Sequence, residues 1–457
     1  MDSFSNVLGS VGAEKKISPT KVIILAFVFI IFLGACMLML PAANKSGLRG
    51  DFITALFTAT SATCVTGLTV ADTFRHWTRF GQVVIMLLIQ CGGLGFMAFA
   101  TVFSLIVNRR ISLRERLIMT QSFSVDEISG VVRLAKHILF RTLLAEGIGT
   151  VVLSLRFVPQ YGLGEGLFKS VFHAVSAFCN AGFDVIGVCR GHIGSISQYA
   201  EDPLVCLTLI TLMVFGGLGF LVWEDLRVKK RFSALNLHTK LVMFMTGALL
   251  IWGTAMFMIL EYSNPATIGN MNFFEKILAS LFQSATTRTA GFYSFSQGGM
   301  TVSSKMVSVI LMFIGGSPGS TAGGIKTVTL AVLLITSACV MRGKSEITAF
   351  ERKIPTESIL KAVAVVTVAL FIVIIGSVIL VIFDDVSMMD AVFECVSAFS
   401  TTGLSTGITP SLCNISKITL ILLMYFGRVG LLTMSIGLLV RKKRSKIGYA
   451  DGKVIIG

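Results

Sequence analysis

Charge is scarce in this chain. Only 14% of its 457 residues are Asp, Glu, Lys or Arg, against 54% hydrophobic, and the mean hydropathy is +0.83. That balance excludes an ordinary soluble domain, whose single core could not hide so much apolar surface. Cysteine is present nine times, an odd number, mostly within apolar segments and never as CxxC. Neither a disulfide framework nor a metal site follows from such scatter. The five histidines show no HExxH or paired spacing, so enzymatic chemistry is not indicated.

What the chain has in quantity is uninterrupted apolar sequence. Residues 22–40 (VIILAFVFIIFLGACMLML) carry no charge and are long enough to cross about 30 Å of hydrocarbon as a helix. The run is too long for the apolar part of a signal peptide, so it is expected to be retained as the first span. Length assigns eight spans, at 22–40, 80–107, 134–157, 204–223, 240–261, 304–341, 358–383 and 416–440. The net charge of +15 collects between them, at 15–21, 109–116, 227–231, 342–353 and 441–444. Connections near Asp72, Glu165, Asp184, Glu201, Asp202, Asp384 and Asp385 are neutral to acidic. This is the positive-inside pattern, which places both termini in the cytoplasm and removes the reason to invoke nucleic acid.

Between each odd-numbered span and the next lies an apolar piece of about ten to thirteen residues, too short to span and suited to a re-entrant helix. These pieces are 53–62, 166–178, 273–285 and 388–399. They end in SATCVTGL, SAFCNAGF, SATTRTAGF and SAFSTTGL, whose glycines Gly67, Gly182, Gly291 and Gly403 fall at intervals of roughly 110 residues. The spans that follow match too, with CGGLGF, FGGLGF, IGGSPGS and FGRVGL. The expected fold is therefore all-α and membrane-integral, with four tandem copies of span, pore helix, loop and span. The copies cover 1–108, 109–227, 228–344 and 345–457, the third with a broken last span and the fourth with a C-terminal tail.

Close helix packing explains the span glycines. It does not explain four irregular loops at membrane depth, which are tolerated only where protein buries them or they line a watery cavity. A monovalent cation needs a ring of oxygens in place of water, and backbone carbonyls supply it when glycine lets the chain turn them inward. Four such loops predict one pseudo-fourfold pore.

With its four single-glycine loops, eight spans and interrupted sixth span, the whole chain resembles the Trk/Ktr/HKT superfamily of potassium transporters. It is similar in particular to Ktr membrane subunits of the KtrB or KtrD type, since the two extra N-terminal spans of Trk subunits are not expected here. The resemblance implies potassium coordination by the loop backbones at Val65, Thr66 and Gly67; Asn180, Ala181 and Gly182; Thr289, Ala290 and Gly291; and Thr401, Thr402 and Gly403. In that superfamily a serine at the first glycine accompanies sodium-preferring plant members, so Gly67 argues for potassium. Arg288, just before the third loop, is expected to point away from the axis and brace the loop through carboxylates or carbonyls.

The stretch from 306 to 341 would reach about 54 Å as one helix, well beyond the bilayer core. Its middle, FIGGSPGSTAGGIKT, holds five glycines and a proline, which oppose continuous helix. It lacks the GxxxxGK[ST] pattern of a nucleotide loop. The resemblance implies an intramembrane gate at Gly315, Gly316, Ser317, Gly319, Ser320, Thr321, Gly323, Gly324 and Lys326, with Arg428 beside it as an electrostatic barrier. Arg428 and Lys326 are costly in a membrane unless oriented inward or paired with carbonyls.

The same resemblance implies a homodimer seated on an octameric cytosolic ring of Rossmann-type subunits, of the KtrA or KtrC type, which bind ATP, ADP or NAD(H). No cofactor is expected on this chain, whose substrate would be potassium, with sodium as a second cation. The basic loops and the tail 441–457 are the expected contacts with that ring or with anionic membrane lipids. The alternative is a coupled carrier for another monovalent cation or small solute. A voltage-gated channel is disfavoured because no span carries arginine at every third position.

Overall fold

The computed structural model describes residues 19–95, 116, 119–120, 130–187, 196–344 and 346–430. Among them the regular structure is helical except for one hairpin of two-residue strands, β1 (Thr348–Ala349) against β2 (Arg352–Lys353). Four helices are long and apolar enough to cross a bilayer unbroken: α1 (Pro19–Leu38), α4 (Val131–Tyr161), α8 (Leu237–Glu261) and α12 (Thr356–Asp384).

Each is followed by a short helix packed against it: α2 (Phe52–Thr63), α5 (Leu163–Phe178), α9 (Phe273–Thr286) and α13 (Met388–Ser400). Three of these starts are fixed by side-chain caps. Asp51 accepts from Thr54 N, Ser387 accepts from Asp390 N, and Asn272 with Glu275 forms a capping box, each satisfying first-turn amides that have no intrahelical partner. In α2 every residue from Phe57 to Thr63 is buried. A short helix enclosed on all sides by protein is the condition under which its ends can leave the helical pattern at membrane depth.

The helices that come next, α3 (Arg79–Leu94), α6 (Pro203–Leu218), α10 (Val302–Phe313) and α14 (Asn414–Val429), all stop early. The predicted span 204–223 is not one helix. At Gly219 the chain bends by 89° into α7 (Phe220–Val228). Gly219 has φ +95° and ψ 140°, a region that side chains disfavour, and a Cβ there would stand 2.7 Å from Pro318 O. Phe220 N, freed from its helical partner, donates to Gly319 O at 2.8 Å. The sequence reading missed this break because an apolar run long enough to span gives no sign of direction. Its sign was the last glycine of FGGLGF, since α3 and α14 end at the matching Gly95 and Gly430, with φ of 80° and 86°.

The predicted spans 80–107 and 416–440 continue beyond these two glycines into residues outside the described ones, where the basic cluster 441–444, all of 109–116 but Arg116 and most of the connection 108–133 also lie. The stretch 304–341 breaks as expected, into α10 and α11 (Thr327–Met341).

The span glycines do serve close packing, with a particular partner. A Cβ on Gly92, Gly216 or Gly427 would lie 1.9, 1.9 and 1.8 Å from Thr63 O, Phe178 O and Phe399 O. Carbonyls at the C-terminal ends of α2, α5 and α13 therefore rest directly on the helix that follows. Gly216→Val should overpack this contact by about 1–3 kcal/mol or more and lower the thermal midpoint of detergent-solubilised protein. An unchanged midpoint would refute the contact.

Candidate functional site

The short helices end alike. In α2, Val65 N donates to Ala62 O (3.1 Å) and Thr66 N to Ser61 O (2.7 Å). The corresponding pairs are Asn180 N to Ala177 O (3.1 Å) with Ala181 N to Ser176 O (2.7 Å), and Thr401 N to Ala398 O (3.1 Å) with Thr402 N to Ser397 O (2.8 Å). This is the Schellman pattern of a helix C-terminus, but its left-handed residue is not glycine. Val65, Asn180 and Thr401 hold φ of 58°, 60° and 55°, at a cost of about 1–2 kcal/mol each. The two hydrogen bonds at each end, worth about 0.5–1.5 kcal/mol apiece, are of the size needed to offset it.

The third loop departs from the pattern because it is one residue longer. Ser284 precedes Gly291 by seven positions, whereas the other serines precede their glycines by six. Thr289 still takes the left-handed position, at φ 69°, but Ala290 N donates to Thr286 O (2.9 Å). Ser284 Oγ turns away to Leu250 O (2.9 Å) in α8. Arg288 donates to the Thr246 hydroxyl of α8 (3.2 Å). Among the described residues that hydroxyl stands in place of the expected carboxylate or carbonyl partner.

Beyond the left-handed residue, hydroxyls of the short helices hold the loops. Ser61 Oγ and Ser397 Oγ accept from Gly67 N and Gly403 N, both at 3.0 Å. Ser176 Oγ donates to Phe183 O (2.8 Å), and Thr286 Oγ1 to Phe292 O (2.5 Å).

Of the twelve loop residues named from the sequence, the four glycines and the residue before each meet one another, while Val65, Asn180, Thr289 and Thr401 face Gly92, Gly217, Gly315 and Gly323. A Cβ on Gly67 would stand 2.4 Å from Ala181 O, on Gly182 2.8 Å from Ala290 O, on Gly291 2.4 Å from Thr402 O, and on Gly403 2.0 Å from Thr66 O. Each loop thus presents the carbonyl before its glycine to the glycine of a neighbouring loop, and the sequence of contacts closes on itself. Glycine is required here for space as well as for its positive φ, the two reasons for which the sequence reading favours glycine in these loops.

The glycine-rich segment 314–326 lies against the inner ends of these helices. A Cβ on Gly315 would touch Thr289 Cγ2 at 3.2 Å, and one on Gly323 would meet Thr401 Oγ1 at 2.2 Å. Gly324 packs on Ser400, and Thr321 Oγ1 donates to Phe178 O (3.2 Å). Ser317 N and Thr321 N donate to Gly217 O (3.0 Å) and Gly216 O (3.3 Å). Gly316 O accepts from Thr327 N (3.0 Å), and Ser320 Oγ donates to Ser317 O (2.7 Å). Gly319 faces the start of α7 instead of the loops.

Both costly cations pair with carbonyls. Lys326 Nζ donates to Ala322 O (2.6 Å) within the segment. Arg428 stands where the first three motifs have glycine, and its guanidinium donates to Thr321 O, Gly92 O and Gly93 O (the last at 3.1 Å). One side chain thus joins the segment to the early stop of α3.

Two braces escaped the sequence reading. Glu394, fully buried in α13, accepts from Thr406 N (3.1 Å) and Thr409 Oγ1 (2.9 Å) and fastens the chain beyond the fourth loop. Behind the second loop, Gln90 Nε2 donates to buried Glu146 (3.1 Å), and Cys179 Sγ lies 3.4 Å from Gln90 Oε1. The available signal was that Glu146 is the sole acid between 131 and 161. At the opposite end of α5, the Arg79 guanidinium beside Glu165 holds that carboxyl below the usual carboxylate range. No group of three or more potential metal ligands occurs among the described residues.

The model of the TrkH family, described as cation transport protein, matches residues 14–446. The chain belongs to the TrkH family. It is 42% identical to Ktr system potassium uptake protein B of Bacillus subtilis, over 97% of each chain. It is 39% identical to the potassium/sodium uptake protein NtpJ of Enterococcus hirae, over 95% of this chain and 96% of that one. The potassium transporter TrkH of Vibrio parahaemolyticus superimposes with a TM-score of 0.73 at 16% identity, covering 93% of this chain and 86% of that one, which shows a shared fold. As a TrkH-family chain this is a multi-pass membrane protein of a transport family, not an enzyme.

Ser61→Ala and Ser397→Ala should each leave a buried glycine N–H in this TrkH-family loop unpaired, at about 1–3 kcal/mol. Amide hydrogen exchange in 61–68 or 397–404 should quicken, while the Ser→Thr variants exchange like the parent. Exchange unaffected by the alanines would count against the ties.

Proposed function

We propose that the chain carries potassium into the cell across the bacterial cytoplasmic membrane, along the axis enclosed by its four loops. The observation that supports this most is the closed cycle of glycine-to-carbonyl contacts, because it gathers four backbone carbonyls without any side chain between them. Carbonyl rings replace the hydration shell of a monovalent cation. The cation class comes from the family, and the choice of potassium from the names of its relatives. In this reading the backbone from Val65 to Gly67 and its three counterparts is the selectivity filter. Residues 315–324, with Lys326 and Arg428, are the gate, and sodium stimulates uptake.

The same reading divides the chain into four units, 1–108, 109–227, 228–344 and 345–457, with eight spans and both termini cytoplasmic. It has two copies assemble on an octameric cytosolic ring whose subunits bind ATP, ADP or NAD(H). The second break, at Gly219, favours one alternative, a cation-coupled carrier built on discontinuous helices.

Expression in an uptake-deficient bacterium should restore growth at low potassium and give rubidium uptake. Uptake that collapses when the sodium gradient alone is removed would favour the carrier, and no uptake of potassium or rubidium would refute both. Removal of residues 315–324, or Arg428→Gln, should raise rubidium flux in correctly folded protein; unchanged flux would defeat the gate assignment. Gly67→Ser places a side chain against Ala181 O and should weaken discrimination against sodium. A potassium/sodium ratio equal to the parent's would argue against the filter.

A further inference from the structure

A groove of about 470 Å³ runs along the outer surface between α4 and α6 and ends at α7. Its walls include Leu144, Ile148 and Leu207, each about half exposed. Small residues open it: Ala145 lines one wall, and Gly149 lets α4 approach so closely that a Cβ would meet Leu212 Cδ1 at 2.6 Å. The 89° bend at Gly219 carries α7 across one end, where Trp223 packs on Phe215 (ring centroids 4.7 Å apart) and donates to its carbonyl (3.2 Å).

The groove has the dimensions and polarity of half a bilayer. From Arg141 to Val152 along α4 is about 16 Å at 1.5 Å per residue, against about 15 Å for one leaflet of a 30 Å core. The end at Arg141 and Trp223 holds the groove's charged group, while Thr208 and Thr211 elsewhere in the lining turn their hydroxyls to the α6 backbone. Arg141 is shared with Glu224 (2.6 Å), and His137 Nδ1 lies 3.8 Å from the same carboxylate. Arg133 and Lys136 lie one to two turns before Arg141 on α4, and Arg227 one turn after Trp223 on α7, none with a carboxylate partner among the described residues; Asp225 pairs with Lys229, so these turns together are net positive. An indole at such a level is the usual marker of the membrane interface.

We propose that this groove binds one acyl chain of an anionic phospholipid, with the lipid phosphate held at Arg141. By the orientation proposed above, the lipid belongs to the cytoplasmic leaflet. The bound chain lies against Phe215 and Trp223, which flank the bend whose Gly216 and Gly217 carbonyls hold the glycine-rich segment. It therefore braces the bend from the lipid side.

Trp223 supplies the probe, and binding is read without any transport assay. Trp77 is enclosed by protein and Trp252 faces outward, so full-length Trp252→Phe protein is reconstituted into phosphatidylcholine vesicles. These contain equal mole fractions of acyl-brominated phosphatidylglycerol or acyl-brominated phosphatidylcholine. Phosphatidylglycerol should reach half-maximal quenching at about fivefold lower mole fraction, the enrichment expected from one basic residue acting on a singly charged headgroup. Arg141→Gln should remove that preference, and Ala145→Phe, which fills the groove, should weaken quenching by both lipids. Equal quenching by the two lipids in the parent overturns the proposal. So does a preference that survives Arg141→Gln, or quenching undiminished by Ala145→Phe, which would place the lipid outside the groove.

Discussion

The centre of this protein depends on four missing Cβ atoms. Each loop presents a carbonyl to a neighbour's glycine at a distance no side chain tolerates, so the four loops have a single mutual arrangement. The left-handed residue before each of these carbonyls is the local counterpart of that constraint. Valine and threonine do not adopt φ near 60° by preference. They do so here because the helix-end hydrogen bonds and the neighbouring loop leave no other course for the chain.

The early stops of α3, α6, α10 and α14 follow from the same crowding. Each stop interrupts a helical ladder in the interior, where an unpaired backbone group is costly. The freed groups are used between elements: the carbonyls of Gly92 and Gly93 receive Arg428, those of Gly216 and Gly217 receive the amides of Thr321 and Ser317 respectively, and Phe220 N finds Gly319 O. Irregular backbone at this depth is stable because each break supplies the partner for another.

Much of this was legible in the sequence, because membrane helices are specified by length and apolarity, and self-similarity within one chain needs no second sequence to detect. The bounds of the short helices and the break near 314 were readable from composition and glycine content. The bend at Gly219 was not, since apolar runs look the same whether straight or turned. The left-handed backbone at Val65 and Thr401 was not either, because it goes against what those residues prefer and arises from packing alone. Glu146 and Glu394 were passed over because a lone carboxylate shows its purpose only when its donors, drawn from distant segments, are in place.

The third loop, with its one additional residue, has a consequence for how the assembly can vary. A ring made from identical subunits must alter all its quarters at once, since every substitution is copied around the axis. Here the ring comes from one polypeptide, so each quarter is inherited independently. The third loop is one residue longer than the others and is held by Thr286 where the second is held by Ser176, yet Gly291 still touches Gly182, Thr402 and Thr66 of the other three. Point substitutions can therefore tune such a centre in single, unequal steps, a freedom that strict symmetry denies.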